Sequence, residues 1–341
     1  MSWVRHLAAF ADFSVLEEPR KKPVVLVAGY GWATHSFVEH ISHKDYTVKV
    51  ISERNQRLNQ NRMIGPLTPS YTPALLDVIQ DTCISVDKEA KRLRCANGDY
   101  TYDYLVIATG SEAHDFGVPG VKQYCQMCKT DKDIVALRAT QKESAIVLGA
   151  GPTGIELACS LQRRGMTGIK IIEGASIILP GFSTLYRSHV EKHLNAKGIQ
   201  VHLNRPITSI GEHDIKTALG PVSYNERDLL VWTCGVRPVE FVRSLEPKGV
   251  MVNDQLQYAP NIYVLGDASK NKGPPTAQNA SQQGRYLAKL FNSKFTKKEP
   301  YTFKEIGRCL DLGHGHLIEF YGFVCFVPYM EWKEMTWMLS N

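Results

Sequence analysis

The chain has 341 residues, 43% of them hydrophobic, enough to bury two sizeable cores. Its net charge of +6 is modest and its Lys/Arg residues form no long block, which excludes the basic footprint of a nucleic-acid binder. No span approaches the roughly 20 apolar residues of a transmembrane helix, and the eight cysteines form no regular framework, pointing to a reducing compartment.

In chain order, residues 1–22 read as an N-terminal extension with neither the h-region of a signal peptide nor the acid-poor character of a transit peptide. Val24-Val25-Leu26-Val27-Ala28 suits a buried parallel strand, and Gly29-Tyr30-Gly31-Trp32-Ala33-Thr34 makes a glycine-rich turn into a helix. Glycines in such a turn let backbone amides approach a pyrophosphate at a helix N-terminus. Thr34 stands where the third glycine or alanine belongs, and its branched Cβ is expected to crowd the helix against the strand and move the pyrophosphate. His35, His40 and His43 are expected on a solvated helix face. The next apolar run ends in an acid, Glu53, and the first fold closes at Tyr104-Leu105-Val106-Ile107-Ala108-Thr109-Gly110, a strand with a tight glycine turn. Cys125 and Cys128 have metal-like spacing without a second pair, and read as two unrelated thiols.

The pattern then repeats. Ala145-Ile146-Val147-Leu148 leads into Gly149-Ala150-Gly151-Pro152-Thr153-Gly154, 120 residues after the first loop, and the following run again ends in an acid, Glu173. Gly29 and Glu53 stand 24 positions apart, as do Gly149 and Glu173. One such glycine loop is weak evidence; two with matched acids indicate two dinucleotide-binding folds. The second fold closes at Leu229 to Gly235, an echo of the first. A further buried strand ends in Gly266-Asp267, and Pro274-Pro275 open a helical pattern from Thr276 to Ala288. The simplest assembly is an α/β chain in which the second fold (115–235) is inserted into the first (23–114 and 236–300), with a C-terminal appendage at 301–341. His314 and His316 are expected on a loop, and the aromatics Phe320, Phe323, Phe326, Trp332 and Trp337 as core, partner contact or membrane-facing patch.

The glycine loop with Trp32, the Ala108-Thr109-Gly110 turn, Gly149 to Glu156, Leu265-Gly266-Asp267 and Pro274 to Gln283 together carry a family resemblance. From about Pro23 to Gly322 the chain resembles the type II (single-chain, rotenone-insensitive) NADH:quinone oxidoreductases, flavoproteins with two Rossmann-like domains in the glutathione-reductase-like fold. The resemblance implies a hydride passed from NADH to FAD and two electrons passed on to a quinone, without proton pumping, at the periphery of the mitochondrial inner membrane. It implies an FAD site at Gly29, Gly31, Trp32, Ala33, Glu53, Arg54, Thr109, Gly110, Gly266, Asp267 and Ala277. Within it, the loop glycines would meet the pyrophosphate, Glu53 the adenosine ribose and Asp267 the ribityl chain. It implies an NADH site at Gly149, Gly151, Pro152, Thr153, Gly154, Glu173 and Gly235, with Glu173 on the 2′-hydroxyl and repelling the 2′-phosphate of NADPH. Glu156 would stand beside flavin and nicotinamide, and Gln278 and Gln282, at i and i+4, would line the quinone site; no metal is implied. Disulfide reductases of the same fold keep a redox cysteine pair where this chain reads Asn59-Gln60-Asn61-Arg62-Met63-Ile64, so thiol reduction through that site is rejected. The chain stops at Asn341, short of the C-terminal amphipathic helices with which the family docks on membranes. The alternative reading is a catalytically weak or inactive relative serving as a structural or accessory subunit of a larger respiratory or other mitochondrial assembly, docked through residues 320–341.

Overall fold

Strand β1 (Val24–Ala28) is buried along nearly its whole length, as a strand covered by helices on both faces must be. The computed structural model describes residues 22–247, 249–270 and 272–329; residues 1–21, Trp332 and Trp337 lie outside the described residues. After β1 come α1 (Trp32–His40), β2 (Thr47–Ser52), β3 (Val78–Gln80) and β4 (Tyr104–Ile107). The chain then builds a second, five-stranded parallel sheet. Its elements are β5 (Gln126–Met127), α2 (Asp131–Ala139), β6 (Ser144–Leu148), α3 (Pro152–Arg163), β7 (Thr167–Ile172), α4 (Thr184–Ala196), β8 (Gln200–His202) and β9 (Asp228–Trp232), in strand order β5-β9-β6-β7-β8. β10 (Gln257–Ala259) and β11 (Ile262–Val264) return to the first sheet, whose order is β10-β11-β4-β1-β2-β3. β11 lies parallel to β4, and β10 is an antiparallel edge.

Helix α5 (Ala277–Asn292) starts at a Thr276 cap, whose hydroxyl accepts the Asn279 N–H at 3.2 Å, and packs along α1. The two helices meet backbone to backbone. A Cβ on Gly284 would stand 2.1 Å from the Ala33 carbonyl oxygen, so no side chain fits at the crossing. Below it Phe37 and Phe291 pack edge to face, 5.6 Å between centroids. The chain ends in an antiparallel sheet of β12 (Gly307–Asp311), β13 (Gly315–Phe320) and β14 (Phe323–Pro328). Leu310 and Leu317 of this sheet, with Leu312 of the turn between them, share a core with α3, α4 and β6.

The repeat is visible in single hydrogen bonds. Gly29 donates to the Ile51 carbonyl at 2.7 Å and Gly149 to the Ile172 carbonyl at 2.8 Å. Ala108 donates to Ala28 and Thr233 to Leu148, both at 2.8 Å. Each glycine loop therefore leaves the C-terminal end of a central strand, where open α/β sheets bind ligands.

Of the histidines, His40 on α1 and His314 in a loop stand as expected, and the others depart from it. His35 turns inward, its Nδ1 3.2 Å from the Tyr30 hydroxyl, because the loop sends Tyr30 into the interior and His35 covers it. Burial lowers the His35 pKa to about 4. His43 lies in the turn beyond α1. His316 lies in β13 and is buried against the Tyr329 ring, while His314, in the turn before it, stacks on His193 of α4 with centroids 4.8 Å apart.

Candidate functional site

Both glycine loops open on a single cavity of about 2580 Å³. Ordinary small-molecule sites enclose roughly 300–1,000 Å³, so this one has room for more than one ligand. α1 starts at Gly31 and α3 at Gly151, and neither N-terminus has a side-chain cap or an acid in its first turn. Their unpaired N–H groups and partial positive charge stay available to an anion. A Cβ on Gly31 or Gly151 would meet nothing within 4 Å, so both glycines leave backbone bare to the cavity. Gly29 is required for another reason: φ is +94°, and a Cβ would lie 2.6 Å from the Ala108 carbonyl oxygen.

Thr34 does not obstruct the first loop as expected. In the second loop a Cβ on Gly154 would stand 2.0 Å from the Gly149 carbonyl oxygen, and Gly154 lies behind the loop rather than on the cavity. At the matching place Thr34 is fully buried, and its hydroxyl donates to the Gly29 carbonyl at 2.8 Å. The first loop stands wide enough for the side chain and gains a hydrogen bond from it.

The other residues of the implied FAD set line the cavity. The Arg57 guanidinium lies 4.0 Å above the Trp32 ring, Ala33 abuts α5, and Glu53 is exposed directly after β2. Arg54 pairs with Asp131 at 3.1 Å. The Thr109 hydroxyl is buried with no partner among the described residues, next to Gly110. Gly266 donates to Gln283 Oε1 at 2.6 Å, and Asp267 accepts the Ser111 hydroxyl at 2.6 Å, close to the opening of α5 at Ala277. Gln283, fully buried, thus fixes the Gly-Asp turn, a role unassigned from the sequence although Gln283 sits inside a quoted motif.

On the second loop Pro152 and Thr153 open α3, and Gly235, with φ of +153°, faces Phe116. Glu173 reaches back into its own loop. Its carboxylate oxygens accept the Ala150 N–H at 2.7 Å and the Ala175 N–H at 2.8 Å. Glu156 is half-buried on the cavity wall and accepts the Asp311 N–H at 3.1 Å. Burial pushes its carboxyl up to about 8; the N–H bond opposes this and the Asp311 charge adds to it, so Glu156 carries a proton at neutral pH.

Gln278 and Gln282 border the cavity, yet their amides bind protein. Gln282 donates to the Lys304 carbonyl at 2.7 Å and accepts the Lys304 N–H at 3.1 Å, and Gln278 accepts the Ile306 N–H at 3.2 Å. The pair straps residues 304–306 across α5. Phe320, Phe323 and Phe326 lie away from the cavity on the exposed β13–β14 hairpin; Phe303 and Phe182 are among the aromatics at its wall instead. Cys125 and Cys128 are free thiols that burial pushes up to about 12, which leaves them protonated and unreactive. Lys129, Asp311 and Arg57 also line the cavity, and nothing in the linear pattern marks them, because each meets its partners only through the fold.

The family model of pyridine nucleotide-disulphide oxidoreductases matches residues 23–284. The chain is 28% identical to the external alternative NAD(P)H-ubiquinone oxidoreductase B2 of Arabidopsis thaliana, a mitochondrial protein, over 75% of this chain and 56% of that one. It is 28% identical to the mitochondrial external alternative NADH-ubiquinone oxidoreductase of Yarrowia lipolytica, over 81% and 60%. The chain thus spans little more than half the length of these relatives. Among solved structures, NDH2 of Plasmodium falciparum in complex with NADH superposes with a TM-score of 0.77 at 18% identity, covering 93% of both chains. The sulfide:quinone oxidoreductase of Aquifex aeolicus does so with a TM-score of 0.77 at 17% identity, covering 93% and 90%. Likeness at that identity speaks for the fold.

Proposed function

On the premise that this chain belongs to the pyridine nucleotide-disulphide oxidoreductase family, we propose that it is an FAD-dependent NADH dehydrogenase that passes electrons to a quinone. One observation carries the reading: two uncapped helix N-termini, each preceded by a glycine loop and followed by a matched acid, open on one cavity. The residues present fit FAD. Gly31 leaves a cradle that a Cβ would fill, the Thr109 hydroxyl lacks a partner among the described residues, and Asp267 presents a carboxylate in the same wall. Bound there, FAD supplies the hydride acceptor and the two-electron carrier.

The chain's own residues do the rest. Residues 23–114 and 236–300 hold FAD, with Glu53 accepting ribose hydroxyls and Asp267 the sugar-like chain. Residues 115–235 hold NADH on Gly149 and Gly151, and the Glu173 carboxylate repels the 2′-phosphate of NADPH. Glu156 keeps a proton at its carboxyl on the cavity wall, available to a quinone oxygen. Gln278, Gln282 and Phe303 border the acceptor end. The relatives' names support ubiquinone as acceptor and the mitochondrion as the place of action. No helix among the described residues is long and apolar enough to cross a membrane. Contact with the inner-membrane surface, or with a protein partner, falls to the hairpin that exposes Tyr321 and Phe323.

The test is optical. Protein purified with FAD should be yellow, bleach on addition of NADH under nitrogen, and regain colour with a short-chain ubiquinone. Protein that stays colourless after incubation with FAD would sink the reading and leave the accessory subunit in its place.

A further inference from the structure

We propose that Lys129 is the residue that compensates the negative charge placed on the bound redox ring during hydride transfer, an inference resting on the flavin reading above. Lys129 lies between β5 and α2 of the second fold, and its side chain reaches Gln60 of the first. Its side chain is 16% exposed and lines the cavity.

The ammonium is held in place while its carboxylate partner stays at arm's length. Nζ donates to Gln60 Oε1 at 3.4 Å, and Gln60 Nε2 donates back to the Lys129 carbonyl at 3.2 Å. The Lys129 N–H donates to Asp133 Oδ2 at 3.0 Å, and the Thr130–Asp133 capping box fixes that carboxylate. Asp267 is the carboxylate opposite, but its Oδ2 stands 4.0 Å from Nζ and already accepts the Ser111 hydroxyl at 2.6 Å. An ammonium has three donors, and among the described residues this one makes one long amide bond and one ion pair at 4.0 Å, which leaves donor capacity facing the cavity. The other charged groups on the surrounding elements are engaged elsewhere: Asp133 in the cap, Arg54 with Asp131, and Glu156 with its proton. A buried cation with spare donors calls for an anionic ligand.

Direction follows from the first loop. With a pyrophosphate at Gly31 and an adenosine ribose at Glu53, Thr109, Gly110 and Asp267 are the cavity residues that would hold the other half of a dinucleotide, and Lys129 lies beside Asp267. A hydride delivers two electrons and one proton, so the ring gains one negative charge unless a second proton follows. A fixed cation in a water-poor cavity stabilises that charge far better than solvent does.

The readout is the midpoint potential of the bound flavin, measured against reference dyes. Lys129→Gln should keep flavin and lower the potential by about 30 mV or more, the equivalent of a tenfold loss of reduced-form stabilisation for a two-electron couple. Lys129→Arg should restore most of it. The native protein gives a measurement independent of how the variants fold. Between pH 6 and 7.5, one proton taken up per two electrons gives a slope of about 30 mV per pH unit, and two protons about 60 mV. A slope near 60 mV, or an unchanged potential in flavin-bearing Lys129→Gln, overturns the assignment while leaving the flavin reading intact. Native protein that takes up no FAD overturns both.

Discussion

Glu156 is a carboxyl group that the fold keeps protonated, and that has a consequence for stability. Its pKa is 4.5 when unperturbed and about 8 in place. The folded state therefore holds the proton more tightly than the unfolded state, so stability falls as pH rises from about 4.5 and levels off above about 8. Glu156→Gln cannot ionise. Between pH 6 and pH 9 the native protein should lose several degrees more in Tm than this variant, and equal losses would mean that water reaches the carboxyl. Glu173 acts differently, since its carboxylate already accepts one backbone N–H of the glycine loop, Ala150, and one from the turn after β7, Ala175. Glu173→Ala should weaken NADH by on the order of 1.5–3 kcal/mol, the cost of a lost charged hydrogen bond, without weakening NADPH to match. Titration with both nucleotides checks it, and parallel losses would assign Glu173 to loop stiffness alone. At this scale the sequence was legible where chemistry is local. Glycines at fixed spacing and an acid at a strand end declare themselves. Asp311 and Lys129 do not, because their meeting with Glu156 and Asp267 is made by chain more than 130 residues away.

At the scale of elements, the crossing of α1 and α5 depends on one atom that is missing. Gly284→Ala places a Cβ 2.1 Å from the Ala33 carbonyl, so the helices must separate, at about 1–3 kcal/mol or more. Gly31→Ala adds the same methyl into open space. Urea unfolding should show a clear loss for the first and little change for the second; equal midpoints would mean that the crossing adapts. Strands and helices of this kind were readable from apolar runs and glycine turns. The strap of residues 304–306 was not, because its order comes from side-chain amides of Gln278 and Gln282 on another element rather than from its own pattern. Resemblance pointed to those glutamines as quinone neighbours, and the geometry gives them structural work at the same cavity edge. Gln278→Ala should free the Ile306 N–H and loosen the strap. Quinone reduction should then fall several-fold while bleaching by NADH keeps its rate in stopped flow. A change in bleaching instead would move Gln278 out of the acceptor end.

For the whole molecule, the question is why two similar folds share one cavity. Each folds a loop onto the C-terminal end of its central strand, and both loops line the same cavity. If the loops serve different nucleotides in series, they should fail separately. Gly31→Val puts a branched side chain into the bare cradle of the first loop, and purified protein should lose its flavin. Gly151→Val does the same to the second loop, more than 100 residues away in sequence, and should leave the flavin bound while NADH no longer bleaches it except at far higher concentration. Dithionite, which needs no binding site, should still bleach that variant, proving its flavin competent. Loss of flavin in both variants would mean that a single ligand spans both loops, and the serial path from nicotinamide to flavin would be wrong. Loss in the first alone makes each fold answerable for one half of the electron path.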